Sequence, residues 1–212
     1  MQGEDKSYGD MLNRIRVEEH TAEDILALKD RVFPRSSEKV QKSSFFIAPL
    51  RVNVAKWNTE KLNENKGGAF TIKAIHLDAM RRHFEPYIDP KDGIVGSTGF
   101  MDTLTLKKGC PVMITTNLDT SDGITNGTIG TLFDVVLNAK KEVQYLLVDL
   151  GNPNKGKSNT ARFSAVTKGI AGRICLEKVK WDYPIRKRGG KGGSSATVIQ
   201  FPVRLAFGVT GH

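Results

Sequence analysis

Cysteine, histidine and tryptophan are scarce in this 212-residue chain, which holds two, four and two of them. Two isolated cysteines, Cys110 and Cys175, support neither a disulfide framework nor a metal spacing, so both read as small buried hydrophobes. His20, His76 and His83 lack metal-like spacing too, and read as surface or satisfied core residues. Long apolar runs are also missing, and nothing approaches the roughly 18 residues a membrane-spanning helix needs. The start, MQGEDKSYGD, has no signal-peptide apolar stretch. A soluble, intracellular protein with no membrane partner is therefore expected, and no internal repeat organises it.

What is present is an ordinary globular composition, 39% hydrophobic and 26% charged, long enough for one large domain or one domain carrying an insertion. The net charge of +9 is unevenly placed: Lys140 to Lys191 holds 13 basic residues against four acidic ones, and the remaining 19 of each sign cancel. A basic segment grafted on a neutral body suggests a footprint for phosphates, although a charge run of this kind also serves as a solvated surface.

Periodicity predicts two helices over residues 5–33, the second opened by a capping box of Thr21 and Asp24 and ended by Pro34. Phe45 to Ala48 is a continuous apolar run, expected as a strand buried on both faces, and a helix over Val54–Leu62 completes a β-α step. A strand over Ala69–His76, a short helix over Asp78–Phe84 and a loop marked by Pro86, Pro90, Gly93 and Gly96 follow. Between Lys107-Lys108-Gly109 and Leu132, LTLKKGCPVMITTNLDTSDGITNGTIGTL predicts a strand over Val112–Thr115 and another over Thr128–Val136. Asn126-Gly127 is the expected type I′ turn between them. Short strands over Val143–Leu150, Ile174–Trp181 and Ser195–Val209 come next, with RKRGGKGGSS (186–195) as a mobile loop.

Gly151 to Ser158 satisfies G-x-x-x-x-G-K-[ST], in which backbone amides wrap phosphates, Lys157 reaches the outer oxygens and Ser158 binds magnesium. Its surroundings favour a basic hairpin turn instead, because Gly169 and Gly172 weaken any following helix and no later strand ends in a magnesium-holding acid. A nucleotide-binding protein using Gly151–Ser158 stays open as an alternative.

Four blocks together resemble the petite integration frequency (PIF-type, RecD-like superfamily one) DNA helicases. They are DKSYGDMLNRIRVEEHTAEDILALKDRV, then FFIAPLRVNVAKWN as motif IV with Arg51 and Asn58, the LTLKKG…TIGTL block, and QFPVRLAFGVTGH as the opening of motif V with Thr210 and His212. Leu50 replaces a common threonine, Gly211 replaces an apolar residue, and motif VI is absent. The resemblance implies an α/β fold: the second RecA-like helicase domain interrupted by a small, Src-homology-three-like β-barrel insertion. It implies the RecA-like part over 1–127, the basic barrel over 128–198 and a return strand over 199–212.

ATP in such helicases lies between two RecA-like domains, and nothing in this sequence looks like the phosphate-loop domain. The resemblance implies that Arg51 senses ATP. It also implies that Thr210 and His212 contact the DNA backbone, aided by Lys140, Lys141, Lys155, Lys157, Arg186, Lys187 and Arg188. A fragment of an ATP-dependent 5′-to-3′ helicase is expected, inactive alone. Its parent would use ATP and magnesium, partner single-stranded DNA and the missing N-terminal RecA-like domain, and serve DNA repair, recombination and telomere maintenance in the nucleus or mitochondria. A degenerate, non-enzymatic nucleic-acid-binding module is the main rival, and a plain protein-interaction domain a further one.

Overall fold

The computed structural model describes residues 6–30, 32, 46–185 and 194–210, so the expected loop at 186–195 lies almost wholly outside the described residues. The chain divides into two compact units, Met1–Ser44 and Phe45–His212. The first holds α1 (Lys6–Arg16) and α2 (Ala22–Lys29). Thr21 and Asp24 form the expected capping box, the Thr21 hydroxyl accepting from the Asp24 amide at 3.2 Å and the Asp24 carboxylate accepting from the Thr21 amide at 3.0 Å. That carboxylate also takes a two-pronged bond from the Arg14 guanidinium, at 2.9 and 2.6 Å. Arg14 first, then the Thr21 amide, hold the Asp24 carboxyl well below the usual carboxylate range.

The second unit is α/β. It opens with β1 (Phe46–Ala48), α3 (Arg51–Glu64), β2 (Ala69–Lys73), β3 (Ile75–Leu77), β4 (Thr103–Lys107), β5 (Pro111–Ile114), β6 (Ile129–Leu137) and β7 (Val143–Asp149). It continues with α4 (Lys157–Arg162), α5 (Ser164–Thr167), β8 (Arg173–Leu176), β9 (Val179–Ile185), β10 (Ser194–Gln200), β11 (Val203–Leu205) and β12 (Gly208–Thr210). The strands form an antiparallel five-stranded sheet in the order β11-β5-β6-β7-β8, a three-stranded sheet β3-β10-β9, the pair β2-β4 and one parallel pair, β1-β12.

Among the described residues, only β1-β12 has the parallel pairing of a β-α crossover, with Ala48 opposite Thr210. Ile47 at its centre is 63% exposed, so β1 is not covered on both faces as its apolar run predicted. The limits expected at 127 and 198 do not coincide with breaks in the sheets. Pro111 to Met113 pair with Ile129 to Thr131 across the first, β10 runs through the second, and β11 returns to lie beside β5.

The core follows from strand alternation and from the central place of β5. Leu104 and Leu106 point inward from β4, while Val112, Met113 and Ile114 are all buried, so both faces of the central strand β5 are covered. Leu132, Leu146, Val148, Ile174, Leu176 and Phe201 join the same cluster. Each fully buried aliphatic side chain of this kind stabilises by about 2 kcal/mol. Gly130 lies against β7, where a Cβ would come within 2.6 Å of Val148 Cγ1 and 2.7 Å of the Asp149 carbonyl oxygen. A smaller cluster of Val95, Phe100, Tyr183, Ala196 and Val198 packs beside the three-stranded sheet.

Local chemistry explains two departures from the sequence reading. Gly127 has φ +87° but Asn126 does not share the left-handed region, and the Thr128 amide donates to the Thr125 carbonyl at 3.0 Å. This is the pattern of a type II turn, set in a long loop between β5 and β6, not a two-residue type I′ hairpin. Residues 78–84 form no helix either. The Asp78 carboxylate accepts from the amides of Met80 and Arg82, both at 2.8 Å, so a side-chain turn outcompetes helical bonding.

Candidate functional site

Helix α3 begins directly after β1, and its inward positions Asn58 and Leu62, four residues apart, are buried. Its outer face carries Lys61 paired with Glu64 at 2.7 Å, an exposed pair of little energetic weight. Asn58 does the main structural work. Its Nδ2 donates to the carbonyls of Leu205 and Gly208, at 3.1 and 3.2 Å, and its Oδ1 accepts from the Gly208 amide at 2.8 Å. Trp57 adds a bond to the Phe207 carbonyl at 3.3 Å and packs on Phe46 with ring centres 4.8 Å apart. The helix is thereby clamped to the turn between β11 and β12.

Beside this clamp lies a cleft of about 330 Å³, lined by Arg51, Asn58, Asp92, Arg204 and Thr210 over a floor that includes Leu62 and Leu104. Arg51 and Thr210, read from separate blocks of the sequence, meet in it. The parallel pairing of β1 with β12 brings them together. Arg51 is the first residue of α3, and its guanidinium reaches the 86–96 loop, pairing closely with Asp92 and with Asp89 at 3.2 Å. Asp92 first, then Asp89, raise its already high pKa, so the charge is permanent.

Arg204 was not singled out by sequence reasoning. It sits on β11 opposite Met113, partly buried, and forms no ion pair among the described residues. Burial lowers its pKa, and the like charge of Arg51 adds to this, against the attraction of Asp92. The only sequence signal was a basic residue within an apolar strand, VRLAF. Two guanidinium groups and a threonine hydroxyl around one opening suit an anion with several oxygens. Asp89 and Asp92 were also missed, although Asp89-Pro90-Lys91-Asp92-Gly93 is a turn signature.

The Gly151–Ser158 loop is built otherwise. The buried Asp122, 8% exposed, inserts its carboxylate at the start of α4, where Oδ1 accepts from the Ser158 amide at 3.1 Å and Oδ2 from the Asn159 amide at 3.0 Å. The Gly156 amide donates to the Asp122 carbonyl at 2.8 Å. Amides that would receive a phosphate are therefore occupied by a protein carboxylate, and α4 is six residues long. Gly156 answers to packing: a Cβ there would come within 2.2 Å of Ile174 Cγ2. Asn159 ties α4 to β8 by exchanging two bonds with Cys175, at 3.0 and 2.7 Å. The nucleotide-binding alternative for Gly151–Ser158 fails on this geometry.

Lys155 and Lys157 lie on that loop and the first turn of α4, while Lys140 and Lys141 lie on the β6–β7 turn, so these four candidate lysines are divided between two places. Arg186, Lys187, Arg188 and His212 lie outside the described residues. Cys110 and Cys175 are buried, and burial pushes both thiols up, Cys175 to about 12, which fits packing and not reactivity. His76 Nε2 contacts the Asp102 carboxylate at 2.8 Å. No group of three metal-ligating side chains occurs among the described residues, and no described helix is long and apolar enough to cross a membrane.

Residues 100–134 match the family pattern described as DNA helicase Pif1, 2B domain. The chain is 27% identical over 192 residues to the ATP-dependent DNA helicase PIF7 of Trypanosoma brucei brucei, covering 84% of this chain and 17% of that one. Among solved structures, Pif1 helicase from Candida albicans matches with a TM-score of 0.59 and 21% identity, over 99% of this chain and 45% of that one. Pif1 from Bacteroides sp in complex with ADP-AlF4 matches with a TM-score of 0.60 and 18% identity, over 99% and 40%. The chain thus spans about a sixth of the curated relative and less than half of the solved ones.

Proposed function

Starting from a chain that is a Pif1-type helicase segment, we infer that it supplies the second-domain wall of an ATP cleft and part of a path for single-stranded DNA. The observation that carries this is the meeting of Arg51 and Thr210, from two motif blocks, in one cleft with Arg204. In the parent helicase, Arg51 stabilises charge developing on the transferred phosphoryl group, where a planar guanidinium acts without reorganisation. Thr210 donates its hydroxyl to a DNA phosphate. His212 and the basic residues 186–188 belong to the same DNA reading. The antiparallel strands after residue 128 correspond, in this reading, to the Src-homology-three-like insertion.

The parent uses ATP and magnesium, and the remainder of it, with the phosphate-loop domain, supplies the residues that hold them. It moves 5′ to 3′ along single strands in the nucleus or mitochondria, in DNA repair, recombination or telomere maintenance. The 212 residues alone do not hydrolyse ATP. The ion pairing of Arg51 with Asp89 and Asp92 supports a second reading, a non-enzymatic DNA-binding module in which the arginine is structural.

Steady-state ATPase assays separate the two. The isolated chain should show no turnover, with or without single-stranded DNA. In the parent helicase, Arg51→Ala should lower kcat by about a thousandfold, the scale of a lost arginine finger. Turnover by the homogeneous isolated chain would refute the missing-domain reading, and an unchanged kcat in the parent variant would leave the structural one.

A further inference from the structure

A second cavity stands apart from the cleft. It is a groove of about 550 Å³ between β2 and the turn joining β6 to β7, and Lys178, ahead of β9, closes one side. Lys73 and Lys141 line it as well, so lysines from three elements border one space, and the Lys178 ammonium also lies 5.8 Å from the centre of the Phe201 ring. None of the three has an ion-pair partner among the described residues. The one acid lining the groove, Glu142, already accepts from Asn138 Nδ2 at 3.0 Å. Phe70, half-buried on β2, and Ile75, which is 38% exposed, line the same groove.

The walls of this groove are fixed. Gln200, fully buried, holds β2 through the Ile72 carbonyl at 3.2 Å. Asn138 holds the opposite turn, its Oδ1 accepting from the amides of Lys140 and Glu142 at 2.9 and 3.0 Å. Lys141 itself sits at φ +63°, a left-handed conformation that a glycine would adopt at less cost. That conformation closes the β6–β7 turn, where the Lys141 amide donates to the Asn138 carbonyl at 2.9 Å, and it leaves Lys141 on the rim of the groove.

We propose that this groove binds the phosphate backbone of a single-stranded nucleic acid, with Lys73, Lys141 and Lys178 as the phosphate contacts. The occupant follows from charge complementarity: spaced ammonium groups match a chain with a charge at every unit, and Phe70 offers a ring to a base. The proposal rests on the DNA-binding reading above but adds a site that reading does not name, because it joins Lys141 and Lys178 of the basic segment to Lys73 on β2, which lies outside that segment.

Fluorescence anisotropy of a labelled oligothymidylate at several salt concentrations tests it on the full 212-residue chain. Lys73→Gln, Lys141→Gln and Lys178→Gln combined should weaken binding at least about tenfold, and flatten the slope of log affinity against log salt by about 2, since each single-strand contact contributes about 0.7. The triple Lys→Arg variant should retain affinity, which separates lost charge from lost fold. If the Gln variant binds like the original chain while Lys155→Gln with Lys157→Gln does not, the groove is wrong and the DNA reading stands. If the original chain binds no oligonucleotide, both fall. If polyglutamate binds through these lysines and the oligonucleotide does not, the occupant is an acidic polypeptide and the proposal is wrong.

Discussion

The cleft at α3 and the loop at Gly151–Ser158 begin from the same ingredients, a helix N-terminus beside a basic residue, and they end differently. In the loop, Asp122 crosses from the 119–124 turn and fills the amides of Ser158 and Asn159. At the cleft, the acids Asp89 and Asp92 bind the Arg51 side chain, and about 330 Å³ of space remains beside Arg204 and Thr210. A glycine-lysine motif is therefore a phosphate site only where the chain leaves its amides unsatisfied. Sequence shows the donors, and only the fold shows whether an internal anion has reached them first.

The comparison breaks most visibly at Asn58. Asn58→Ala leaves two carbonyls and one amide without their buried partner, and should cost about 3 kcal/mol in urea unfolding. Loss of the clamp should also disorder the cleft, read as faster hydrogen exchange at Gly208. Next in size, Asp122→Ala strips the start of α4 of its acceptor and should cost about 2 kcal/mol. If that variant were as stable as the original chain, the carboxylate would not be what closes the loop.

Acid sharpens the contrast further. Asp119 accepts from the Ser121 hydroxyl at 2.6 Å and the Asp122 amide at 3.0 Å, and these bonds, the Ser121 one first, hold its carboxyl below the ordinary value. Because its folded pKa is depressed, its contribution is present above the unfolded carboxylate value near 3.9 and is lost as pH falls through the folded one. Protection factors of the Ser158 and Asn159 amides should fall in that window. Smallest of all, Lys157→Ala should change stability by less than about 0.5 kcal/mol and leave nucleotide binding at its background level. Nucleotide binding by the original chain, abolished in this variant, would reverse the assignment of the loop.

Short-range chemistry was legible in the sequence. Thr21 and Asp24 are three residues apart and made the capping box they announced, and the strands around the 104–132 block lie within a residue or so of their expected bounds. Segment 78–84 was misread because Asp78 captures amides that a helix would use. Asp122 and Ser158 are 36 residues apart, and no local pattern links them. The same holds for Arg204 beside Arg51. Arg51 and Thr210 were found through family likeness, since spacing alone could not place them in one cleft. The basic segment was legible as charge but not as shape, because Lys141 and Lys155 fold onto different turns.

Between β11, in the antiparallel sheet, and β12, in the parallel pair, the chain has only Ala206 and Phe207. Both are anchored: the Ala206 amide donates to the Pro111 carbonyl at 2.9 Å, and the Phe207 carbonyl receives Trp57 Nε1. Such a link has no slack. Arg204 on β11 and Thr210 on β12 therefore border the arginine-lined opening at a separation that two anchored residues set, and the spacing of its walls is a property of the backbone and not of side-chain choice.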